Sequence, residues 1–254
     1  MANSNLAVEF EKYLSQFKTQ VRPEHVKGHH YIGGGKSKLF FKDLKTSEVR
    51  STLKQKFSVH ELNLVEKLDQ YELVWFSSNI FEVKIIPLYW VNSLSDDELI
   101  QICPRLLAWS AEIDNWALSD GLCCIYSRIL EKKPSMILPA LKKWNKSSEP
   151  WLQRISLISL FYYSRSRKKQ PSFNLVVAFI KPHFNSKDYY VQKAVGWTLR
   201  ELYNAYPKLG LNFIEKNVGR IAPAAWYAAS EKLKPAVKNK LLKKRKLSKK
   251  ILNV

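Results

Sequence analysis

A tryptophan and a carboxylate stand four residues apart in this sequence, at Trp116 and Asp120. Residues at this spacing are neighbours on one face of a helix, and Cys123 and Ser127 continue the same face. The apolar stripe predicted for this helix lies opposite and comprises Leu118, Leu122, Ile125 and Ile129. An indole ring beside a carboxylate suits a sugar-binding site. The alternative is that Trp116 packs on a neighbouring helix and Asp120 is a surface acid.

A second tryptophan, Trp197, is flanked by cations in a predicted helix over 188–206. Lys193 precedes it by four residues and Arg200 follows it by three, so all three share a face. The predicted apolar stripe lies elsewhere and comprises Val191, Ala194, Val195, Thr198 and Leu202. An aromatic plate among cations is typical of sites for a sugar or base next to phosphates. The alternative is that Trp197 covers a neighbouring helix.

Arg154 lies at the margin of an apolar face in the predicted helix 149–166. That face comprises Trp151, Ile155, Ile158 and Tyr162. A buried cation without a partner is costly, so Arg154 must find one. A phosphate or an internal carboxylate would serve, and Asp120 is one candidate.

Hydrophobic periodicity predicts an almost entirely helical chain. The predicted helices lie at about 5–18, 46–57, 60–70, 78–92, 95–109, 113–131, 135–145, 149–166, 171–182, 188–206, 209–217 and 222–235. A short extended piece is predicted at Leu39–Phe41.

A proline restarts the helical pattern at Pro134, Pro171 and Pro207, at spacings of 37 and 36 residues. Such a period is typical of an all-α solenoid of HEAT-like helix pairs, here a short helix followed by a long one. Equivalent helices of a solenoid line one surface. We therefore expect Trp116, Asp120, Arg154 and Trp197 to converge in a concave basic groove. The predicted domains are a single repeat domain over 1–237 and a basic C-terminal tail over 238–254. The tail could be a nuclear-type signal, a segment that grips DNA, or a solvated and frayed end, and the last is the default.

The charge of the chain indicates a polyanionic partner. It has 254 residues, with 42 Lys and Arg against 22 Asp and Glu, a net charge of +20. Nucleic acid is the commonest partner of so basic a protein. An apolar content of 46% excludes a disordered protein, and no apolar run is long enough to span a membrane. The polar start of the chain lacks a signal-peptide core, and three cysteines without a pairing pattern favour reduced thiols in an intracellular, cytoplasmic protein. A monomer is the default expectation.

Two other motifs lack the residues that their chemistry requires. Gly35-Lys36-Ser37 resembles the end of a phosphate-binding loop, but His30 stands where that loop needs a glycine. The glycine run with Lys36 and Lys38 could still contact a DNA phosphate. His25 and His29 are four residues apart, and no nearby carboxylate or cysteine completes a metal site. We expect no metal and no cofactor.

Three segments resemble the AlkD-like DNA alkylation repair glycosylases, which are built from HEAT-like repeats. They are Asn115-Trp116-Ala117-Leu118-Ser119-Asp120, Trp151-Leu152-Gln153-Arg154 and the stretch from Val191 to Glu201 containing Gly196-Trp197-Thr198-Leu199-Arg200. The resemblance extends over about 5–235 and is specific over 113–206. It implies an active cleft formed by Trp116, Asp120, Arg154 and Trp197. The chain departs from the family at Ala117, where a second acid is common, and in its longer basic stretch before Arg50.

The resemblance implies a function as well as a fold. Members of this family excise cationic N3- and N7-alkylated purines from duplex DNA without flipping the base. We therefore expect a glycosylase acting on 3-methyladenine and 7-methylguanine, with no cofactor and no membrane partner. Expected DNA contacts are Lys193, Arg200, Lys36, Lys38 and Arg50. The alternatives are a non-catalytic HEAT-like module that binds damaged or branched DNA, and an RNA- or protein-binding scaffold.

Overall fold

The structure is a computed structural model that describes the backbone of residues 5–252 and the side chains of residues 5–248. Residues 1–4, the first part of the polar start of the chain, and the side chains of Lys249 and Lys250 in the basic tail lie outside this range. The all-α fold class is confirmed, because the described residues contain helices and no strand. An isolated parallel bridge joins Phe40 to Ile80, which confirms the short extended piece predicted at 39–41. None of the described helices is both long and apolar enough to cross a membrane.

The α-helices are short to medium in length. They are α1 (Asn5–Leu14), α2 (Gly28–Tyr31), α3 (Thr46–Arg50), α4 (Leu64–Ser77), α5 (Phe81–Lys84), α6 (Ile86–Ser93), α7 (Asp96–Leu106), α8 (Trp116–Lys132), α9 (Pro134–Asn145), α10 (Pro150–Ile158), α11 (Phe173–Ile180), α12 (Tyr189–Ala205), α13 (Pro207–Asn217), α14 (Pro223–Ala229) and α15 (Pro235–Leu252). Short 3-10 helices lie between several of them, at Glu24–Val26, Ser51–Lys54, Leu107–Glu112, Ser164–Ser166 and Lys181–His183.

The chain divides into two compact units, residues 1–125 and residues 126–254. In the first unit, α4 packs against α1, α5 and α6. Its core is rich in aromatic rings: Trp75 stacks on Trp109 with centroids 4.9 Å apart, and Tyr71 stacks on Trp90 at 4.2 Å. Stacked rings of this size bury much apolar surface and fix the helices that carry them.

Glu82 ties an extended segment of the first unit to α5. Its carboxylate is almost fully buried and accepts hydrogen bonds from the backbone N–H groups of Lys42, at 2.9 Å, and Leu44, at 3.4 Å. Burial raises the pKa of Glu82, and these two hydrogen bonds partly offset that rise. The contacts hold the chain that follows the glycine-rich turn at 33–35.

Helix pairs stack in sequence order in the second unit, as an α-solenoid requires. Helix α10 packs against α9 and α12, and α12 packs against α11, α13 and α14. Prolines begin α9 and α13 as predicted, and Ser172 caps α11 directly after Pro171. The predicted short-then-long pattern holds for α11 and α12 only. Helix α10 spans nine residues, and α14 spans seven.

The predicted helix 149–166 was wrong in its second half. Helix α10 ends at Ile158, and the chain then turns through Tyr162, whose φ is +52°. An aromatic residue rarely adopts this left-handed conformation, so surrounding contacts must hold it there.

The expectation of a frayed C-terminal tail was also wrong. Residues from Pro235 to Leu252 form one helix, α15. Leu241 of this helix is 1% exposed and Arg245 is 7% exposed, so one side of the helix is buried. The division into a domain over 1–237 and a tail over 238–254, and the concave groove, stay predictions.

Candidate functional site

Trp116 and Asp120 lie on one face of α8, in the first unit. Both are half-buried, whereas Leu118 and Leu122 on the opposite stripe are fully buried. The helix starts here because the side chain of Asn115 accepts a hydrogen bond from the backbone N–H of Leu118 at 3.0 Å. Asparagine is a favoured cap at this position. In the first turn of α8, Trp116 and Asp120 therefore share the face that their spacing predicted.

Further along α8, Cys123 and Ser127 continue this face as predicted, but protein covers them. Cys123 is fully buried and Ser127 is 4% exposed. The Ser127 hydroxyl donates to the carbonyl of Phe161 at 2.9 Å. Protein covers both sides of this part of the helix, and a pattern of residue types along one helix does not show what covers it.

Trp116 is held by a segment that is distant in sequence. Its indole N–H donates to the carbonyl of Tyr31 at 2.8 Å, and the Tyr31 ring packs edge-on against it at 5.6 Å. This contact satisfies the polar edge of the indole within the protein. What the side chain offers to a ligand is therefore its ring face.

The basic stretch after Tyr31 is anchored beside Trp116 by Asp114. One Asp114 carboxylate oxygen accepts from the Ser37 hydroxyl at 2.9 Å and from the Lys38 backbone N–H at 2.7 Å. The turn leading there uses Gly34 and Gly35 at φ values of +59° and +70°, which favour glycine. The sequence did not indicate that Asp114 and Tyr31 hold the surroundings of Trp116, because nothing in the local pattern connects residues about 80 positions apart.

The lysines of this stretch point into solvent. Lys36 and Lys38 are exposed, as is Arg50, whose guanidinium lies 4.9 Å from the centre of the Tyr89 ring. Their expected role in DNA binding stays a prediction.

Arg154 is placed by α10 in the second unit and is 4% exposed. Its Nη1 donates to the carbonyl of Tyr190 at 3.0 Å, and the Tyr190 ring packs on Trp151 at 4.7 Å. One partner of this cation is thus a backbone carbonyl and not the phosphate or carboxylate predicted from the sequence. The hydrogen bond directs the guanidinium towards the start of α12.

Trp197 lies on α12 as a half-buried plate. Its indole N–H donates to the carbonyl of Tyr162 at 2.6 Å. The rings of Tyr162 and Tyr163 pack against it at 5.8 Å and 5.3 Å, and the Arg200 guanidinium lies 5.4 Å from its centre. The prediction that Trp197 lies off the buried stripe is confirmed, because Val191, Ala194 and Val195 are fully buried.

Trp116 and Trp197 are held in the same way. In each case one tyrosine accepts the indole N–H with its backbone carbonyl and packs its ring against the indole. For Trp197 this tyrosine is Tyr162, in the left-handed turn after α10. The turn is tethered by Glu201, whose buried carboxylate accepts from the Ser164 backbone N–H at 2.9 Å and its hydroxyl at 2.7 Å. The Glu201 carboxylate also accepts a hydrogen bond from the Arg200 Nε at 3.3 Å.

A second carboxylate, Glu131, holds the far end of the same loop. It accepts from the backbone N–H groups of Lys168 at 2.7 Å and Lys169 at 2.8 Å. Arg167 reinforces this end by donating to the Ser127 carbonyl at 2.8 Å. The segment that supports Trp197 is therefore fixed at both ends.

Helix α12 packs closely against α14 at Gly196, the residue next to Trp197. A Cβ atom built on Gly196 would lie 2.3 Å from the carbonyl oxygen of Ala225 and 2.7 Å from the Ala228 Cβ. Only glycine allows the two helices to approach this closely.

A pocket of about 480 Å³ opens beside this tryptophan, since two of its lining residues, Tyr163 and Arg200, also contact Trp197. Arg165 and Lys232 line it as well. Arg200 is paired with Glu231 at 2.7 Å as well as with Glu201. Lys193, on the other flank of Trp197, lies 5.8 Å from the Tyr227 ring. Arg200 lies against Trp197 as expected, whereas Lys193 lies over the Tyr227 ring of α14, and the DNA contacts of both stay predictions.

The buried network around Glu201 gives a testable prediction. Glu201→Gln should destabilise the protein by about 1–3 kcal/mol, because the substitution weakens charge-assisted bonds inside a buried network. Urea unfolding measures this change. Glu231→Gln is the matched control, since it also pairs with Arg200 but is exposed, and it should cost less than about 0.5 kcal/mol. Equal costs for the two variants would contradict the tethering role of Glu201.

Trp116 and Asp120 belong to the first unit, and Arg154 and Trp197 to the second. The structure places the first two on one face of α8 and the other two on the packed helices α10 and α12. That all four act on one substrate stays a prediction. No cluster of metal-ligating side chains is found among the described residues.

An all-α chain of stacked helix pairs belongs to the class of helical-repeat proteins. A family model described as DNA alkylation repair enzyme matches residues 10–233, so the chain belongs to this family. The predicted resemblance is thereby confirmed. The protein has a role in DNA alkylation repair, as a member of a family of repair enzymes, and DNA is its partner.

Solved structures show the same fold. A predicted DNA alkylation repair enzyme from Enterococcus faecalis is 16% identical, with a TM-score of 0.58 over 92% of this chain and 98% of that chain. AlkD2 from Streptococcus mutans is 18% identical, with a TM-score of 0.51 over 93% of this chain and 97% of that chain. The smu.31 protein from Streptococcus mutans UA159 is 16% identical, with a TM-score of 0.51 over 95% and 98%. No curated protein matches the chain.

Proposed function

We propose that this protein is a DNA glycosylase that hydrolyses the N-glycosidic bond of cationic alkylated purines, 3-methyladenine and 7-methylguanine, in duplex DNA without flipping the base. The observation that carries the proposal is the way both tryptophans are held. Each donates its indole N–H to a tyrosine carbonyl, so that the ring face alone is offered to a ligand. A ring face attracts positive charge, which is what a glycosidic bond develops as it breaks.

The chemistry follows from the charge of the lesion. An N3- or N7-alkylated purine is already positive, so it departs without a strong general acid. As the C1′–N9 bond breaks, its electron pair neutralises the purine and leaves an oxocarbenium-like sugar. A carboxylate close to C1′ stabilises that cation, and we assign this role to Asp120. Water adds its oxygen to C1′, and its proton passes to the carboxylate or to solvent.

The other residues position the DNA. Trp116 and Trp197 pack on the deoxyribose and shield the developing cation from bulk water. Arg154, directed by the Tyr190 carbonyl, holds the phosphate next to the lesion. Lys193 and Arg200 flank Trp197 and contact neighbouring phosphates. The Arg200 guanidinium lies 5.4 Å from the centre of the Trp197 ring, and Lys193 precedes Trp197 by one helical turn, which supports this role.

The remaining cations supply affinity that does not depend on sequence. Lys36, Lys38 and Arg50 are exposed in the first unit, the first two beside the loop that holds Trp116. Cations that neutralise phosphates release counterions, so affinity for undamaged duplex should fall as salt rises. The proposal includes a monomer that acts in the cytoplasm, where it associates with the nucleoid.

The first experiment is to incubate the purified protein with methylated duplex DNA and to measure the free bases released. Release of 3-methyladenine or 7-methylguanine is expected. Tight binding to the same duplex without any release would contradict the proposal. It would favour a non-catalytic module that binds damaged or branched DNA, and the tryptophan plates would then serve recognition only.

A further inference from the structure

Helix α15 carries a disproportionate share of the charge of this protein. Residues 235–254 contain eight cations and no acid, so they supply +8 of the net +20. The other 234 residues carry 34 cations and all 22 acids, a net charge of +12. The family match ends at residue 233, just before this helix begins. The charge is therefore concentrated in an element that follows the part matched by the family.

This helix is anchored, not frayed. Arg245 is buried, donates its Nη1 to the carbonyl of Val218 at 2.6 Å and lies 5.7 Å from the Trp226 ring. Leu241, one turn earlier, is buried beside it. Lys240 and Lys244 lie 3.3 Å and 3.6 Å from the Glu215 carboxylate on α13. On the docked face, Arg245 is therefore used in contacts within the protein, and Lys240 and Lys244 both pair with Glu215.

The opposite face of α15 carries lysines that take no part in holding the helix against the protein. Lys243 and Lys246 are exposed and lie one turn apart, and among the described contacts neither pairs with a carboxylate. Like charges at this spacing destabilise an isolated helix. A polyanion bound along this face would remove that repulsion.

Double-stranded DNA fits this face better than a membrane does. A helix that lies on a membrane needs a wide apolar stripe towards the lipid. Here Leu241 faces the protein, and the exposed side offers Leu247 as an apolar residue between lysines. A phosphate backbone needs only cations held in place, which the docked helix provides.

We propose that α15 is a second DNA-binding surface, which contacts the phosphate backbone of duplex DNA independently of the lesion. This inference rests on the function proposed above, in which this protein binds duplex DNA. It adds a contact outside the residues assigned to base excision.

The test compares the salt dependence of binding for the native chain and for Lys243→Gln/Lys246→Gln, with an undamaged fluorescent duplex. Each phosphate contact contributes about 0.9 to the slope of log affinity against log salt, so the variant should lose about 1.8. Lys142→Gln/Lys143→Gln on α9 is the matched control, because it removes two exposed, adjacent lysines of the same unit. Its slope should equal the native slope.

Equal slopes for the native chain and the α15 variant would overturn the inference, as would an equal loss in the control. Loss of binding to phosphatidylserine vesicles with unchanged DNA binding would also overturn it and assign the face to a membrane. Base release at saturating DNA should be the same for the native chain and the variant. Because the slope is measured on undamaged DNA, it remains informative even if no base is released.

Discussion

Replacing Asp120 with asparagine should lower the rate of base release by at least about 100-fold, while affinity for duplex DNA holds or improves. Asparagine keeps the size and one acceptor oxygen of the side chain but removes its negative charge. The developing positive charge on the sugar then loses its stabilising partner, which acts only in the transition state. Binding to a polyanion loses a repulsive charge, so its affinity has no reason to fall.

Single-turnover excision from methylated duplex, at protein concentrations above saturation, separates the chemical step from binding. Asp97→Asn is the matched control, since Asp97 is an exposed acid at the start of α7 in the same unit. It should excise at the native rate. Near-native excision by Asp120→Asn, or an equal loss in both variants, would remove Asp120 from the chemistry.

Gly196→Ala should destabilise the protein by roughly 2–4 kcal/mol. The added methyl group would meet the backbone carbonyl of Ala225 at 2.3 Å, and backbone cannot rotate away as the end of a side chain can. Helices α12 and α14 would have to separate, which moves the surface on which Trp197 stands. Excision should fall together with stability, whereas the affinity of the exposed lysines for undamaged DNA should change little.

The matched control for this substitution is Gly121→Ala in α8. There the added Cβ would meet the Leu88 Cδ1 at 2.7 Å, which is the far end of a flexible side chain. Alanine is also better than glycine inside a helix by about 1 kcal/mol. Urea unfolding should therefore show a small change for Gly121→Ala and a large loss for Gly196→Ala. A neutral Gly196→Ala would show that α12 and α14 do not need their close approach.

Local sequence pattern predicted α8, α9, α12 and α13 to within three residues at each end, and it identified side chains on them that lie off the apolar stripe. The spacing of apolar residues placed Trp197 off the buried stripe of α12, and the structure shows it half-buried with the Arg200 guanidinium 5.4 Å from its ring centre. The starts of α9 and α13 were also predicted correctly, because each begins at a proline and proline is favoured in the first turn of a helix. These features depend on residues a few positions apart, and a helix repeats its geometry over such distances.

The contacts that hold and cover those residues could be seen only in the folded protein. The turn at Tyr162, the carbonyl that Trp116 binds, and the tether from Glu201 to Ser164 join segments from about 35 to 85 residues apart. Burial of Ser127 and docking of α15 likewise depend on neighbouring helices. The periodic spacing of apolar residues indicates which face of a helix is apolar. It cannot record which backbone carbonyl will lie against that face, because the partner is selected by how whole helices pack.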